Sequence, residues 1–156
     1  MNLTLHTDYS LRILLYLAEH TDRPVSTREI SEAYGISRTH LVRVVQTLQS
    51  HGFVNATTGR TGGVTLARDP ERINIGEVVK KTEPNFRIVE CFDLEQNTCR
   101  ILPVCTLRGV LADALGAFFK TLEKCTLADL VKMKGSERFS DFLPVESLRG
   151  RQPNPA

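Results

Sequence analysis

Two short amphipathic segments joined by a glycine turn set the strongest limit on how this chain can fold. The first opens with Ser26-Thr-Arg-Glu29, which is a capping box. In this motif the serine hydroxyl accepts a hydrogen bond from a free backbone amide, and the glutamate side chain accepts one from the serine amide. Gly35 ends this segment, and Ser37 caps a longer one. The longer segment has apolar residues at positions i, i+3, i+4 and i+7, which are Leu41, Val44, Val45 and Leu48. This pattern predicts a helix-turn-helix.

Further elements on both sides complete the predicted domain. A helix from about Asp8 to Glu19, with Asp8 as its cap, precedes the motif. After Gly52 the apolar period changes, and residues 53–58 and 64–67 predict two strands around a glycine-rich turn, which form a wing. A short helix from Ile75 to about Thr82 follows. Residues 1–82 are therefore predicted to form a winged helix-turn-helix domain, and the predicted fold class is mainly α, with a long C-terminal dimerisation helix.

Positive charge is concentrated in the second half of this domain. From Ser37 to Arg68 there are four arginines and two histidines but no Asp or Glu. A solvated polar face is one explanation, but the acid-free run and the wing favour binding of double-stranded DNA. The start of the second motif helix would meet base edges, and Arg43 would contact a base or a phosphate. The predicted DNA-binding residues are Arg28, Ser37, Arg38, Thr39, His40, Arg43 and Arg60.

Arg60 lies at the predicted tip of the wing, between Gly59 and Gly62. It is either an ordinary turn residue or a side chain that enters a minor groove, where a narrow groove has the strongest negative potential. The winged-helix context favours the minor-groove interpretation.

Three of the four cysteines lie close together, as Cys91-x7-Cys99-x5-Cys105. Structural zinc sites use closely spaced cysteine pairs, and this segment has none. Three thiolates in an irregular loop instead suit iron-sulfur chemistry. The alternative is three unrelated buried thiols, but their clustering favours ligation. Residues 83–105 are thus predicted to be a cluster-binding loop, in which Cys105 begins a helix whose free amides favour a thiolate.

A near-heptad apolar stripe follows the cysteines. Its residues are Leu107, Leu111, Leu115, Phe118, Leu122 and Cys125. One helix with such a stripe is best buried by a second copy, so residues 106–133 are predicted to be the dimerisation region of a homodimer. Cys125 would then pack in the seam and not bind metal. Residues 134–156 are predicted to be a flexible tail.

General properties of the sequence narrow the functional class. The chain of 156 residues has neither the pattern of a signal peptide nor an apolar stretch long enough for a membrane helix. We therefore expect a cytoplasmic protein with no membrane partner, in a compartment that keeps thiols reduced. No Ser/His/Asp set, P-loop or G-x-G-x-x-G motif occurs, so we expect a protein that is not an enzyme.

Several motifs together resemble the winged-helix repressor family that includes iron-sulfur biogenesis regulators and nitric-oxide-sensing repressors. They are Thr7-Asp8-Tyr9-Ser10, the turn from Ile30 to Ser37, Gly59-Arg-Thr-Gly-Gly63 with Val64-Thr-Leu-Ala, Ile75-Gly-Glu-Val-Val, the three cysteines, and Cys125-Thr-Leu-Ala-Asp-Leu130. The resemblance covers about residues 1 to 130. It implies a dimeric repressor that carries a 2Fe-2S or a 4Fe-4S cluster.

Two positions distinguish the subgroups of this family. Biogenesis regulators have a histidine three residues after the last cysteine, where this chain has Arg108. The nitric-oxide sensors use an aspartate near the start of the first helix of the partner subunit, and Asp8 stands at that place. The resemblance therefore implies nitric oxide as the signal, and metal ligation by Cys91, Cys99 and Cys105 with Asp8 of the partner subunit. One departure is the first cysteine gap, which is longer than in several relatives.

Two alternatives use the same fold. The chain could regulate iron-sulfur biogenesis, or it could be a cluster-free regulator whose cysteine thiols sense redox state or a small molecule. A protein that stays colourless through strictly anaerobic purification would favour the cluster-free regulator.

Overall fold

The computed structural model describes residues 2–59 and 62–132, so Arg60 and the predicted tail at 134–156 lie outside the described residues. The helices are α1 (Leu5–Glu19), α2 (Thr27–Tyr34), α3 (Arg38–Ser50), α4 (Ile75–Thr82), α5 (Leu107–Leu122) and α6 (Leu127–Lys132). The strands β1 (Val54–Thr57) and β2 (Gly63–Leu66) follow α3. Short 3-10 helices span Pro70–Arg72, Glu90–Phe92 and Leu102–Val104. The predicted mainly α fold with a winged helix-turn-helix is confirmed.

Helix α1 lies at the centre of the domain. Its residues Ile13, Leu14 and Leu17 are almost completely buried, because they share one face of the helix. This face packs in the core with the buried stripe of α3, and α1 also contacts α4, α6 and β2. Leu127 of α6 and Ile73 close the core on the far side. None of the helices in the described part of the chain is long and apolar enough to cross a membrane.

The start of α1 differs from the prediction. The helix begins at Leu5, and the Thr4 side chain caps it by accepting a hydrogen bond from the Thr7 amide at 3.3 Å. Asp8 therefore lies inside the helix, and its prediction as the N-cap was wrong. Thr4 is favoured as the cap because Glu83, at the end of α4, accepts hydrogen bonds from its amide and its hydroxyl at 2.6 and 3.1 Å.

Half of the predicted capping box is present at α2. The Ser26 hydroxyl accepts a hydrogen bond from the Glu29 amide at 3.1 Å, but the Glu29 carboxylate does not return to Ser26. It accepts hydrogen bonds from the Tyr16 hydroxyl at 3.0 Å and from the Arg23 guanidinium at 2.6 and 2.9 Å. The Glu29 side chain is only 9% exposed, and a carboxylate buried to this extent needs a positive partner.

The ends of the two motif helices are set by backbone conformation. Gly35 ends α2 with a φ of 64°, in the left-handed region where glycine has no steric penalty. Ser37 precedes α3 as predicted, but its side chain makes no capping hydrogen bond.

The wing is attached to the motif at two places. Strands β1 and β2 pair antiparallel, from Val54 opposite Leu66 to Thr57 opposite Gly63. Val25, between α1 and α2, exchanges two backbone hydrogen bonds with Val64, at 3.0 and 2.8 Å. Arg68 donates to the backbone carbonyls of His51 and Gly52 at 3.0 and 2.9 Å, and it pairs with Glu77 of α4 at 3.2 Å. These bonds fix the wing relative to the end of α3.

Helix α5 is shorter than predicted. It ends at Leu122, and Cys125 lies in the turn before α6, so the placement of Cys125 on the long helix was wrong. The carbonyl of Cys125 accepts a hydrogen bond from the Ile75 amide, and that of Glu123 accepts one from the Asn74 side chain. Thr126 then begins α6 by accepting from the Asp129 amide at 3.2 Å. Contacts with the start of α4 thus replace continuation of the helix.

The buried position of Glu29 leads to a prediction about stability. Replacing Glu29 by Gln removes the charge that Tyr16 and Arg23 bind, and hydrogen bonds to charged groups are worth roughly 1.5–3 kcal/mol. We therefore expect a loss of about 2 kcal/mol in the free energy of unfolding at pH 7, measured by urea denaturation. The matched control is Glu32→Gln in the same helix, which removes an exposed ion pair with Arg28 at 2.7 Å and should change the free energy of unfolding much less, because exposed ion pairs contribute little to stability.

The difference between the wild type and the Glu29 variant should depend on pH. Burial opposes ionisation of Glu29, but hydrogen bonds from Arg23 and Tyr16 outweigh it and lower the pKa of the carboxyl group. A carboxyl group with a lowered folded pKa stabilises the fold above its unfolded pKa of about 4.3 and loses this effect as the pH falls through the folded value. The stability difference should therefore shrink below about pH 4. A difference that is constant from pH 7 to pH 3 would contradict the role of the Glu29 charge.

Candidate nucleic-acid interface and metal centre

The outward face of α3 carries a shallow, open depression between five of its side chains, which we call the groove. Leu41, Val44, Val45 and Leu48 point into the core and are at most 5% exposed. The opposite face is exposed and carries the side chains that line the groove, which are Arg38, Thr39, Val42, Arg43 and Gln46. No acidic residue occurs between Ser37 and Arg68. The groove therefore presents positive charge and hydrogen-bonding groups on one side of a helix that is held rigidly by the core.

The other predicted DNA-binding residues lie around the start of α3. Ser37 is exposed just before the helix, and the His40 ring stacks with Tyr9 of α1 at a centroid distance of 6.5 Å. Arg28, on α2, pairs with Glu32, and this hydrogen bond raises the pKa of its guanidinium group. Arg28 thus brings less free positive charge to the groove than Arg38 or Arg43. Assignment of these residues to DNA remains a prediction.

Two groove residues were not among the predicted DNA-binding residues. Val42 is 39% exposed in the middle of the groove, and Gln46 is one helical turn further along. Val42 comes directly after Leu41 and falls off the buried spacing of α3. That mismatch between an apolar residue and the core spacing was the available signal in the sequence.

The three clustered cysteines lie in irregular structure between α4 and α5. Cys91 is in the 3-10 helix Glu90–Phe92, Cys99 is in the following loop, and Cys105 ends the 3-10 helix Leu102–Val104. All three thiols are free and partly exposed. Helix α5 begins at Leu107 with Thr106 as its N-cap, so the prediction that Cys105 begins this helix was wrong, and Cys105 lies one residue before the cap.

Hydrogen bonds between residues next to the cysteines fold the loop back on itself. Glu90 accepts from both the amide and the hydroxyl of Thr98, which connects the neighbours of Cys91 and Cys99. Arg108, in the first turn of α5, donates to the Cys91 carbonyl at 3.1 Å. The Leu102 amide donates to the Cys99 carbonyl at 3.2 Å. The loop is therefore ordered by contacts that do not use the thiols themselves.

The described part of the chain does not bring the three cysteines together as a metal-binding group. Among residues 2–59 and 62–132, no group of three or more His, Cys, Asp or Glu side chains is arranged to hold a metal ion. The donor chemistry nevertheless fits an iron-sulfur cluster, because the loop supplies three accessible soft sulfur donors. Cys91, Cys99 and Cys105 are thus the residues that could hold such a group.

Asp8 is held by a different contact in the single chain. Its carboxylate forms an ion pair with Arg12, with distances of 2.8 Å and 3.1 Å to Nη2 and Nε. The Asp8 side chain is 38% exposed. Arg12 in turn lies 6.0 Å from the ring centres of Tyr9 and Tyr34. The predicted fourth ligand is therefore accessible, next to residues that contact α2 and α3.

Cys125 differs chemically from the other cysteines. Its thiol donates a hydrogen bond to the Thr126 carbonyl at 3.5 Å. Burial and the nearby Asp129 carboxylate raise the pKa of the Cys125 thiol, which disfavours the thiolate form that binds metal. Its exclusion from the predicted ligand set is consistent with these contacts.

Comparison with known proteins places the chain among bacterial regulators. The Rrf2 family, described as iron-dependent transcriptional regulators, matches residues 3–133. The HTH-type transcriptional regulator NsrR of Bacillus subtilis (strain 168) is 52% identical over 135 residues, which cover 86% of this chain and 92% of that protein. The NsrR regulator of Halalkalibacterium halodurans is 50% identical over 132 residues, with coverage of 84% and 90%.

Solved structures share the fold at lower sequence identity. IscR from T. potens has a TM-score of 0.69 and 24% identity, and the match covers 85% of this chain and 88% of that chain. CymR, the global cysteine regulator of B. subtilis, has a TM-score of 0.67 and 24% identity, with coverage of 86% and 99%. These similarities support the winged-helix fold.

The family match and the relatives agree on the functional class. The relatives are named as transcriptional regulators and not as enzymes, which confirms the prediction that the chain is not an enzyme. Because the family match extends over residues 3–133, the chain belongs to the Rrf2 family of iron-dependent transcriptional regulators.

Proposed function

We propose that this chain is a transcriptional repressor that binds operator DNA as a homodimer in its iron-sulfur form and releases the DNA when nitric oxide modifies the cluster. Release would derepress genes for defence against nitrosative stress. The observation that carries the proposal is the combination, in one chain, of an exposed acid-free face on α3 and a loop with three free thiols. The similarity to regulators named NsrR supports it.

DNA binding is assigned to the groove of α3. In helix-turn-helix proteins the second helix lies in the major groove, and its first residues contact base edges. Arg38, Thr39 and His40 occupy those positions here, and Arg43 follows one turn later. A dimer would place two copies of α3 about one DNA turn apart on a pseudo-palindromic operator.

The homodimer is supported by the exposure of α5. None of the sixteen residues of α5 is buried in the single chain, and Leu107 and Val110 are 59% and 63% exposed. A helix of this length is only marginally stable without tertiary contacts. Within the chain, Phe119 near the C-terminal end of α5 contacts Phe86 and Lys80, and Arg108 in its first turn bonds the Cys91 carbonyl. A second copy of α5 would bury the remaining apolar residues in an isologous interface.

The proposed cluster site combines residues of two subunits. Cys91, Cys99 and Cys105 would hold the cluster as thiolates, and the partner subunit's Asp8 would provide the fourth ligand. When bound, the cluster supplies iron to which a small diatomic molecule such as nitric oxide can attach. An aspartate oxygen is a poor match to soft iron-sulfur chemistry, so its bond would be the one most easily broken. In the single chain Arg12 holds the Asp8 carboxylate, so ligation and the ion pair would compete.

Loss of the Asp8 bond would affect the DNA-binding face of α3, because the positions of Asp8 and of α3 both depend on α1. Asp8 lies one residue before Tyr9, whose ring stacks with His40 of α3, and Arg12 reaches Tyr34 of α2. A coupling free energy of about 1–3 kcal/mol between two sites changes affinity roughly 5- to 150-fold. A change of this size is sufficient to switch a promoter.

The contribution of the groove can be tested with Arg43→Ala. We expect a loss of about 1–3 kcal/mol in the free energy of operator binding, measured by fluorescence anisotropy of labelled DNA. If Arg43 neutralises a phosphate, the slope of log affinity against log salt should also become shallower by about 0.9 for each phosphate that the variant leaves unpaired. The control is Lys132→Ala on α6, which also removes one positive charge, here from an exposed ion pair with Glu71. Equal effects of the two variants on operator affinity would contradict the assignment of DNA binding to the groove.

The ligand assignment can be tested by replacing each of the four cysteines by Ala. After anaerobic purification, the Cys91, Cys99 and Cys105 variants should lose the visible absorbance of the cluster, because three thiolates anchor it. Cys125→Ala is the matched control and should keep the absorbance. A variant of Cys91, Cys99 or Cys105 that stays coloured would remove that residue from the ligand set. A colourless wild-type protein would favour the cluster-free thiol regulator.

A further inference from the structure

The groove of α3 contains one apolar side chain among polar ones. Val42 is flanked on the helix surface by Arg38 and Gln46, one turn to either side, and by Thr39 and Arg43. Side chains three and four residues apart lie next to each other on a helix. Val42 therefore lies inside the groove and not at its edge.

The exposure of Val42 stands apart from that of the other apolar residues. The other large hydrophobic side chains that are exposed in the described part of the chain are Leu3, Leu5, Val89, Leu94, Ile101, Val104, Leu107 and Val110. Leu3 and Leu5 lie at the start of the chain, and the others belong to the cysteine loop or α5, which are the elements assigned to the dimer. Between Leu5 and Val89, Val42 is the one large hydrophobic residue that the structure describes as exposed. Dimer formation through α5 does not account for it.

Helix stability does not account for Val42 either. A β-branched residue loses side-chain freedom in a helix, and at a solvated position it stabilises the helix less than Arg, Lys, Gln or Ala would. A single exposed valine is common on protein surfaces. The position of this one is what points to a ligand, since a positively charged groove complements DNA and α3 is the helix that enters the major groove.

We propose that Val42 contacts the 5-methyl group of a thymine in each half-site of the operator. Of the four bases, only thymine presents a methyl group in the major groove, and apolar side chains recognise it by direct contact. The neighbouring Arg38, Thr39, Arg43 and Gln46 can bind the polar base edges and phosphates on either side. Val42 would thus be a specificity-determining residue. The inference rests on the proposed DNA-binding function.

The test is a double-mutant cycle between protein and DNA. The wild-type protein, purified anaerobically, first selects high-affinity duplexes from a randomised pool. Each thymine of the selected sequence is then replaced by deoxyuridine, which removes only the methyl group. For one thymine in each half-site, the replacement should weaken wild-type binding about fourfold, the effect expected from burial of one methyl group. Val42→Ala should weaken binding to the thymine operator by a similar factor. The variant should bind the uracil operator no more weakly than it binds the thymine operator.

Controls separate this contact from general effects on folding or binding. Alanine favours helices more than valine, so Val42→Ala should remain folded, and circular dichroism checks this. Gln49→Ala changes an exposed residue of α3 outside the groove and should keep the wild-type difference between thymine and uracil. Additive effects of the Val42 and methyl deletions, or no effect of either, would overturn the contact while leaving DNA binding intact. Failure to select any sequence would overturn both the proposed function and the contact.

Discussion

The burial of α1 is the interaction on which the other parts of this structure depend. Its face formed by Ile13, Leu14 and Leu17 is packed on all sides, by α3, α4, α6 and the wing. Protein interiors are close-packed and transmit displacements between elements. A shift of α1 would therefore have to move α3, α4 or both. The Glu29 network reinforces this arrangement by joining Tyr16 of α1 to α2 and Arg23.

The partly exposed side of α1 carries residues that would connect the proposed metal site to the proposed DNA-binding surface. Asp8, Tyr9 and Arg12 share its first turns, and their contacts reach His40 on α3 and Tyr34 on α2. The side chain that is proposed to bind metal in the partner subunit thus belongs to the helix that packs against α3. On the proposed function, this juxtaposition would link loss of a ligand to loss of DNA affinity without a large rearrangement of the core.

The helix-turn-helix and the wing could be predicted from sequence because their signals are local. Ser26 and Gly35 act through their own backbone, and the apolar spacing of α3 depends only on the helical repeat. The errors arose where distant residues decided the outcome. Thr4, and not Asp8, caps α1, with Glu83 bound to it from the end of α4. The Glu29 carboxylate accepts hydrogen bonds from Arg23 and Tyr16 and does not complete the capping box.

The candidate site shows the same division between local and distant effects. The clustering of three cysteines was visible in the sequence, and the structure places them in one folded loop. The end of α5 before Cys125 depended on contacts with Asn74 and Ile75, about fifty residues earlier in the chain. Val42 was missed although its place off the buried spacing of α3 was a local signal, and its exposure became visible only in the packed molecule.

A heterodimer tests most directly whether each metal site is shared between two subunits. One subunit carries Asp8→Ala, the other carries Ala at Cys91, Cys99 and Cys105, and two different affinity tags isolate the mixed dimer anaerobically. Native mass spectrometry should find one cluster per heterodimer, with the visible spectrum and nitric-oxide response of the wild type, because the cysteines of one subunit meet the intact Asp8 of the other. A heterodimer whose cluster behaves like that of the Asp8→Ala homodimer would contradict a shared site.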